Sequence, residues 1–194
     1  MCKKYSILFI ISLIVVIISC ERNYTPLPRA YFRIDLPSKE YRDFDSTYPY
    51  RFTYPAYAVV IPDTRPSAEQ YWADLYFPRF KAVLHLSYKP VTGPDVLNDY
   101  IEDGRSFVNR HIPKATGFNE RIYTNEENRV FGILYEIKGK EAATPLQMYL
   151  TDSTSHFLRG SLYFNVTPNN DSLAPVIDFI REDIRILVES LQWK

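Results

Sequence analysis

Apolar and polar positions along this chain fall into three regimes. Residues 7–18 read ILFIISLIVVII, apolar apart from Ser12, with Lys3 and Lys4 ahead of them and Ser19-Cys20 behind. Crossing the hydrocarbon core takes about 20 apolar residues. A shorter run with a basic start and a small residue at its end reads as a signal peptide instead. Periodicity disappears over residues 21–49, where Pro26, Pro28, Pro37 and Pro49 are spread among charges and tyrosines. Proline restricts φ and has no N–H to give, so this stretch reads as an extended tether. Within it, Tyr31-Phe32-Arg33-Ile34-Asp35-Leu36 alternates enough to add an edge strand. From Tyr50 onward, strand and helix periods return.

Strands come first. Residues 52–54 and 57–61 read as short strands around Pro55, and residues 72–77 as another, ended by Pro78. Residues 80–88 carry the clearest alternation: Phe80, Ala82, Leu84, Leu86 and Tyr88 on one side, Lys81, His85 and Ser87 on the other. Such a period of two marks a half-buried antiparallel strand. Gly93-Pro94 breaks it, and Asp95 is expected to cap a helix running to about Arg110. Leu97, Tyr100, Ile101, Gly104 and Val108 share its inner face, although Gly104 costs about 1 kcal/mol against alanine.

Beyond Pro113 two hairpins are expected. Residues 120–124 and 129–138 flank the turn Asn125-Glu126-Glu127-Asn128, and residues 146–151 and 157–166 flank Asp152-Ser153-Thr154-Ser155. The last element is a helix capped by Asp171 or Ser172, with Leu173, Val176, Ile177, Ile180, Ile184, Leu187 and Leu191 on its apolar stripe. Pro175 is expected in its first turn, where a missing N–H matters least. Asp178, Arg181, Glu182, Arg185 and Glu189 fill the wet face. Strands, helix, four strands, helix predict a single α+β domain over residues 50–194, a largely antiparallel sheet with two packed helices.

Cysteine usage changes the reading of the N-terminus. Ile17-Ile18-Ser19-Cys20 looks like a lipobox, with aliphatic residues, a small one, then a thiol to accept diacylglycerol. Residues 1–19 are then a lipoprotein signal peptide, and residues 20–49 a lipidated Cys20 followed by the proline-rich tether. An uncleaved anchor helix with a chance cysteine is the weaker alternative. The other cysteine, Cys2, leaves with the leader, so the mature chain keeps no thiol for a disulfide, a metal or nucleophilic catalysis. Two or three acyl chains hold a protein stably where one does not, so the anchor makes this a membrane-tethered globule.

Composition narrows the partners. Of 23 Lys and Arg against 23 Asp and Glu, the leader holds two lysines and no acid, which leaves the remainder at −2. Nothing there steers the chain to nucleic acid. The 16 tyrosines and 12 phenylalanines sit mostly in strand-like alternation, which favours core and sheet packing over an aromatic ligand platform. His85, His111 and His156 lie far apart, without the spacing of a metal site. Asp152, Ser153 and His156 have the letters of a catalytic triad but crowd into one turn, where both Asp152 and Ser153 are explained by turn chemistry. No catalytic residue, cofactor or metal is assigned. Asp152, His156 and Arg159 are instead expected to form a polar partner surface where the chain reverses.

Three stretches carry a resemblance: YTPLPRAYFRIDLP over residues 24–37, FKAVLHLSYKP over residues 80–90, and YLTDSTSHFLRGSLYFNVTPNNDSLAPVIDFIREDI over residues 149–184. Together they resemble the gliding motility lipoprotein GldD family over nearly the whole mature chain. Some relatives carry cysteines near the positions of Tyr48 and Tyr71, so any disulfide they form is absent here; Leu27 and Ala30 stand where lysine and glycine are expected. The resemblance implies a cell-envelope lipoprotein needed for gliding over surfaces, a process linked to type IX protein secretion, and it implies no reaction. The order of elements also looks like the Mog1/PsbP-like fold, a binding scaffold, which says little about function. The favoured expectation is a non-enzymatic interaction or assembly subunit whose partners are the membrane and other gliding or secretion envelope proteins. Glu21-Arg22-Asn23 lacks the acidic run associated with surface export, which points to the periplasmic side. The alternative is a small-ligand or envelope-glycan binding module, or less readily a hydrolase, using tyrosine faces near residues 71–76.

Overall fold

The alternation at residues 80–88 becomes β5 (Ala82–Pro90), a central strand of the larger of two sheets in this computed structural model, which describes residues 34–194. The leader, Cys20 and most of the expected strand at 31–36 lie outside the described residues, and residues 34–36 carry no strand. In chain order the elements are β1 (Tyr41–Phe44), β2 (Tyr50–Pro55), β3 (Val59–Pro62), β4 (Ala73–Phe77), β5, α1 (Pro94–Asn109), β6 (Gly117–Asn125), β7 (Val130–Lys138), β8 (Leu146–Thr151), β9 (His156–Phe164), α2 (Asn170–Ser190) and β10 (Gln192–Trp193). Seven strands order β3-β4-β5-β9-β8-β7-β6, and β1-β2-β10 form a small second sheet. Every pairing is antiparallel. The expected α+β class and both expected hairpins are present.

Register decides the two faces. Leu84, Leu162 and Leu146 line up across β5, β9 and β8, as do Tyr88, Leu158 and Leu150. All are buried, at roughly 1.5–3 kcal/mol per large apolar side chain. This face receives α2, whose Arg181 reaches Glu136 of β7 at 3.6 Å, and the small sheet, whose Tyr50 ring lies 5.9 Å from that of Tyr88. The opposite face carries Tyr135, Ile137, Tyr149 and Phe157 under Leu97, Tyr100, Ile101 and Val108 of α1. The α1 stripe therefore packs as its period predicts.

Several boundaries move for local reasons. Gly93, not Asp95, is the N-cap of α1; Pro94 opens the helix and Asp95 lies in its first turn, where a carboxylate complements the positive end. Asn169 caps α2 instead of Asp171 or Ser172. That earlier start puts Pro175 in the second turn, where the missing N–H removes an internal hydrogen bond. The folded unit also begins well before Tyr50: residues Asp35–Lys194 form one compact unit, and β1 pairs with β2 from Tyr41↔Pro55 to Phe44↔Phe52. A boundary at residue 50 fails because residues 39–44 are held by long-range contacts that no local period records. Tyr48 and Tyr71 meet edge to face, 5.6 Å between centroids.

Candidate functional site

The β8–β9 hairpin holds the residues expected to face a partner, and it uses most of their polar atoms internally. Ser153 sits at φ 68, in the left-handed region that lets the chain reverse. Asp152 Oδ1 accepts from the amides of Thr154 (3.0 Å), Ser155 (2.8 Å) and His156 (2.8 Å), and Oδ2 from the Thr154 hydroxyl (2.6 Å). Burial alone would raise its pKa, but these hydrogen bonds outweigh it and hold the carboxyl well below the usual range. Asp152 is buried, so its carboxylate is turn chemistry.

His156 and Arg159 do not converge. They are three apart on one strand, so their side chains leave opposite faces of the sheet. His156 lies toward the small sheet, its Nδ1 2.9 Å from the Tyr88 hydroxyl and its ring stacked on Trp193 at 5.1 Å and 5°. Burial pushes its pKa down. The Trp193 indole donates to Arg129 O (3.1 Å), and Arg129 reaches the Thr154 hydroxyl at 3.3 Å, so the C-terminal strand ties both hairpin turns together. The expected common polar surface of Asp152, His156 and Arg159 is thus divided between a turn interior, an aromatic stack and the far side of the sheet. Tyr71 likewise packs between Tyr48 and Tyr88. His85 pairs with Asp74 at 2.6 Å.

On the α1 side, Arg159 enters a cleft of about 200 Å³ between α1 and strands β5 and β9. Its walls are the rings of Trp72, Tyr100, Phe107 and Phe157, with Lys89 and Asp103 also lining it. The guanidinium lies 4.3 Å from the Phe107 centroid and donates from Nη2 to Gln147 Oε1 at 2.8 Å. That is the cross-strand pairing that competes with an exposed role. Burial lowers its pKa, and among the described residues no carboxylate pairs with it. Its surroundings were missed in the sequence because they come from five separate segments.

A third feature is the outer edge of the large sheet. β6 is an edge strand of nine residues, and Ile122 on it is 78% exposed. Among the described residues no group of three or more His, Cys, Asp or Glu could hold a metal ion, and no helix is long and apolar enough to cross a membrane.

A search of the curated proteins finds no match. Among solved structures, the solution structure of cyanobacterial PsbP (CyanoP) from Synechocystis sp. PCC 6803 is similar at 12% identity and a TM-score of 0.49, over 84% of this chain and 98% of that one. The α+β assignment rests on the strand order above, not on that likeness. The sequence model of one family, gliding motility lipoprotein GldD, matches residues 21–193, a span that takes in every strand and helix described above, with the hairpin and the cleft. The chain belongs to the gliding motility lipoprotein GldD family, and with it to the membrane-associated proteins of the cell envelope.

Proposed function

We propose that this protein is a non-enzymatic interaction or assembly subunit of the gliding machinery and its linked type IX secretion, held by lipid on Cys20 and facing the periplasm. The observation that carries the reading is the family match over residues 21–193. Interaction is favoured over catalysis by the hairpin: the Asp152 carboxylate is consumed by four hydrogen bonds of its own turn, and His156 Nδ1 is engaged by Tyr88. In a triad an acid orients the base through Nδ1, and here that nitrogen meets the Tyr88 hydroxyl instead of the Asp152 carboxylate. The open edge of β6 supplies a surface of the kind another chain can extend.

The test is complementation of a deletion strain. Ser153→Ala, which would cost a hydrolase orders of magnitude, should restore gliding and secretion. Ile122→Lys should lower both while protein level and lipidation stay normal, and a photocrosslinker at residue 122 should give discrete envelope-protein adducts. Loss of motility with Ser153→Ala, in a protein that stays folded, lipidated and abundant, would replace this reading with a search for a substrate.

A further inference from the structure

Arg159 is a half-buried cation on the sheet face that α1 covers. A guanidinium has five N–H donors in a planar fork, and the described residues engage it through one hydrogen bond, to Gln147. Half-buried cations are ordinarily paired. Beside it run two further unspent polar groups: Gln147 Nε2 and Ser161 Oγ are buried without a hydrogen-bond partner. Gln147 and Ser161 stand opposite one another on β8 and β9, 1% and 3% exposed. Buried polar groups left unsatisfied call for an explanation, and here two of them lie beside Arg159, whose guanidinium lines an open cleft.

The cleft has the shape and chemistry of a small-ligand site. Four aromatic rings line it, and Phe107, 38% exposed, stands at the outside of α1. Lys89 adds a second cation at the mouth, shared with Glu69 at 3.1 Å and 5.1 Å from the Tyr100 centroid. Asp103, exposed on α1, is the acidic group of the lining, and burial together with the charge of Arg159 lowers the pKa of His111. Asp103 in the lining repels any anion, and a carboxylate carried on an apolar stem can offset that repulsion against the rings where a bare inorganic ion cannot. A forked guanidinium matches a carboxylate through two parallel hydrogen bonds, and apolar walls with a few placed polar groups are what hold small ligands.

We propose that this cleft binds a carboxylate borne next to an aromatic or apolar group, with Arg159 receiving the anion and the rings of Trp72, Tyr100 and Phe107 receiving the apolar part. The same chemistry is presented by a free aryl acid and by a polypeptide C-terminus ending in an aromatic residue. The site does not depend on the edge of β6, so it stands or falls separately from the assembly role.

The experiment titrates the full chain in detergent with 3-phenylpropionate and, as a neutral control, 3-phenylpropionamide, following the Trp72 indole and Arg159 side-chain N–H resonances. The acid should shift both resonances saturably and bind at least about tenfold more tightly than the amide. Phe107→Ala changes an exposed ring and should leave the fold intact while weakening the acid by about tenfold; Arg159→Gln should remove the preference for acid over amide. A peptide ending in a free phenylalanine carboxylate, compared with the same peptide amidated, assigns the source. Tighter binding than 3-phenylpropionate points to a polypeptide terminus, and weaker binding to a small acid. Equal response to acid and amide, or wild-type binding by Phe107→Ala, would overturn the proposal.

Discussion

The ammonium of Lys39 lies 2.6 Å from Oδ1 of Asp183, although the two residues are 144 positions apart. The Tyr41 hydroxyl donates to the same oxygen at 2.9 Å, and Tyr57 donates to Oδ2. Lys39 also donates to Phe179 O at 2.7 Å and sits 3.6 Å over the Phe179 ring. Asp183 interrupts the apolar stripe of α2 and is 1% exposed. A carboxylate there is tolerable only because these donors surround it. Lys39→Met should cost about 3 kcal/mol, near the lower end of what breaking a buried pair costs, since both tyrosines remain. Adding Asp183→Asn should return part of the loss. Urea midpoints for the two variants and wild type check this; an unchanged midpoint for Lys39→Met would show that the pair contributes nothing.

The same pair predicts where the chain can be cut. Starting at Asp35 keeps Lys39, Tyr41 and β1; starting at Tyr50 leaves Asp183 with Tyr57 alone and exposes the edge of β2. Calorimetry should give one sharp transition for residues 35–194 and a lower, broader one for residues 50–194. Identical melts would return residues 35–49 to the status of a passive tether.

Acid should act in two windows. His156 has its pKa lowered from 6.5 by burial, so the folded state prefers the neutral ring. Its contribution is complete above about 6.5 and is lost as pH falls through the depressed folded value. Asp152, also depressed, contributes above about 3.9 and loses that contribution as pH falls through its own folded value. The fall in Tm between pH 7 and 5 should therefore shrink in His156→Gln, and the fall below pH about 4 should shrink in Asp152→Asn. Melts at matched ionic strength read both slopes; parallel slopes in variant and wild type would exclude these groups.

Base should act through the tyrosines. Burial, the hydrogen bond to Asp183 and the charge of Asp183 push Tyr41 up to about 12, and burial raises Tyr50, Tyr57, Tyr88, Tyr135 and Tyr149. A raised folded pKa gives stability that is present below the unfolded value of about 10 and lost as pH rises toward the folded one. Tyrosinate absorbance should show some residues ionising near pH 10 and the rest appearing together with loss of the far-ultraviolet sheet signal. A single smooth titration of all tyrosines near pH 10 would contradict this burial pattern.

Gly132 marks a close approach of β7 to β8. A Cβ added there would sit 1.9 Å from Tyr149 O and 2.9 Å from its carbonyl carbon, both backbone atoms. Backbone cannot swing aside as a side-chain tip can, so Gly132→Ala should cost at least about 1–3 kcal/mol, the usual price of overpacking. Chemical denaturation measures it, with Gly104→Ala on α1 as control, where nothing lies within 4 Å and helix propensity predicts a gain of up to about 1 kcal/mol.

How far the site was legible follows from particular residues. The opposite faces of His156 and Arg159 could have been read from their odd spacing on a strand, because alternation is strict. Asp183 also left a signal, as an acid three residues after Ile180 and four before Leu187 in an apolar stripe. The cleft left none, since Trp72, Lys89, Phe107 and Arg159 belong to segments joined only by sheet pairing and by the crossing of α1.

The sequence by itself determined the periods of two and 3.6 that became β5, the two hairpins and α2, and the long stretch around residues 149–184 that resembles the family. Such periods are local: they arise from the pitch of strand and helix and are written within a few residues of one another. Only the tertiary structure decided that Lys39 would meet Asp183, that Tyr48 would meet Tyr71, and that Arg159 would lie among aromatic rings. Those choices depend on which strands neighbour one another and on which face each helix covers. They are settled by burying apolar surface across the whole domain, and no spacing within a single segment records them.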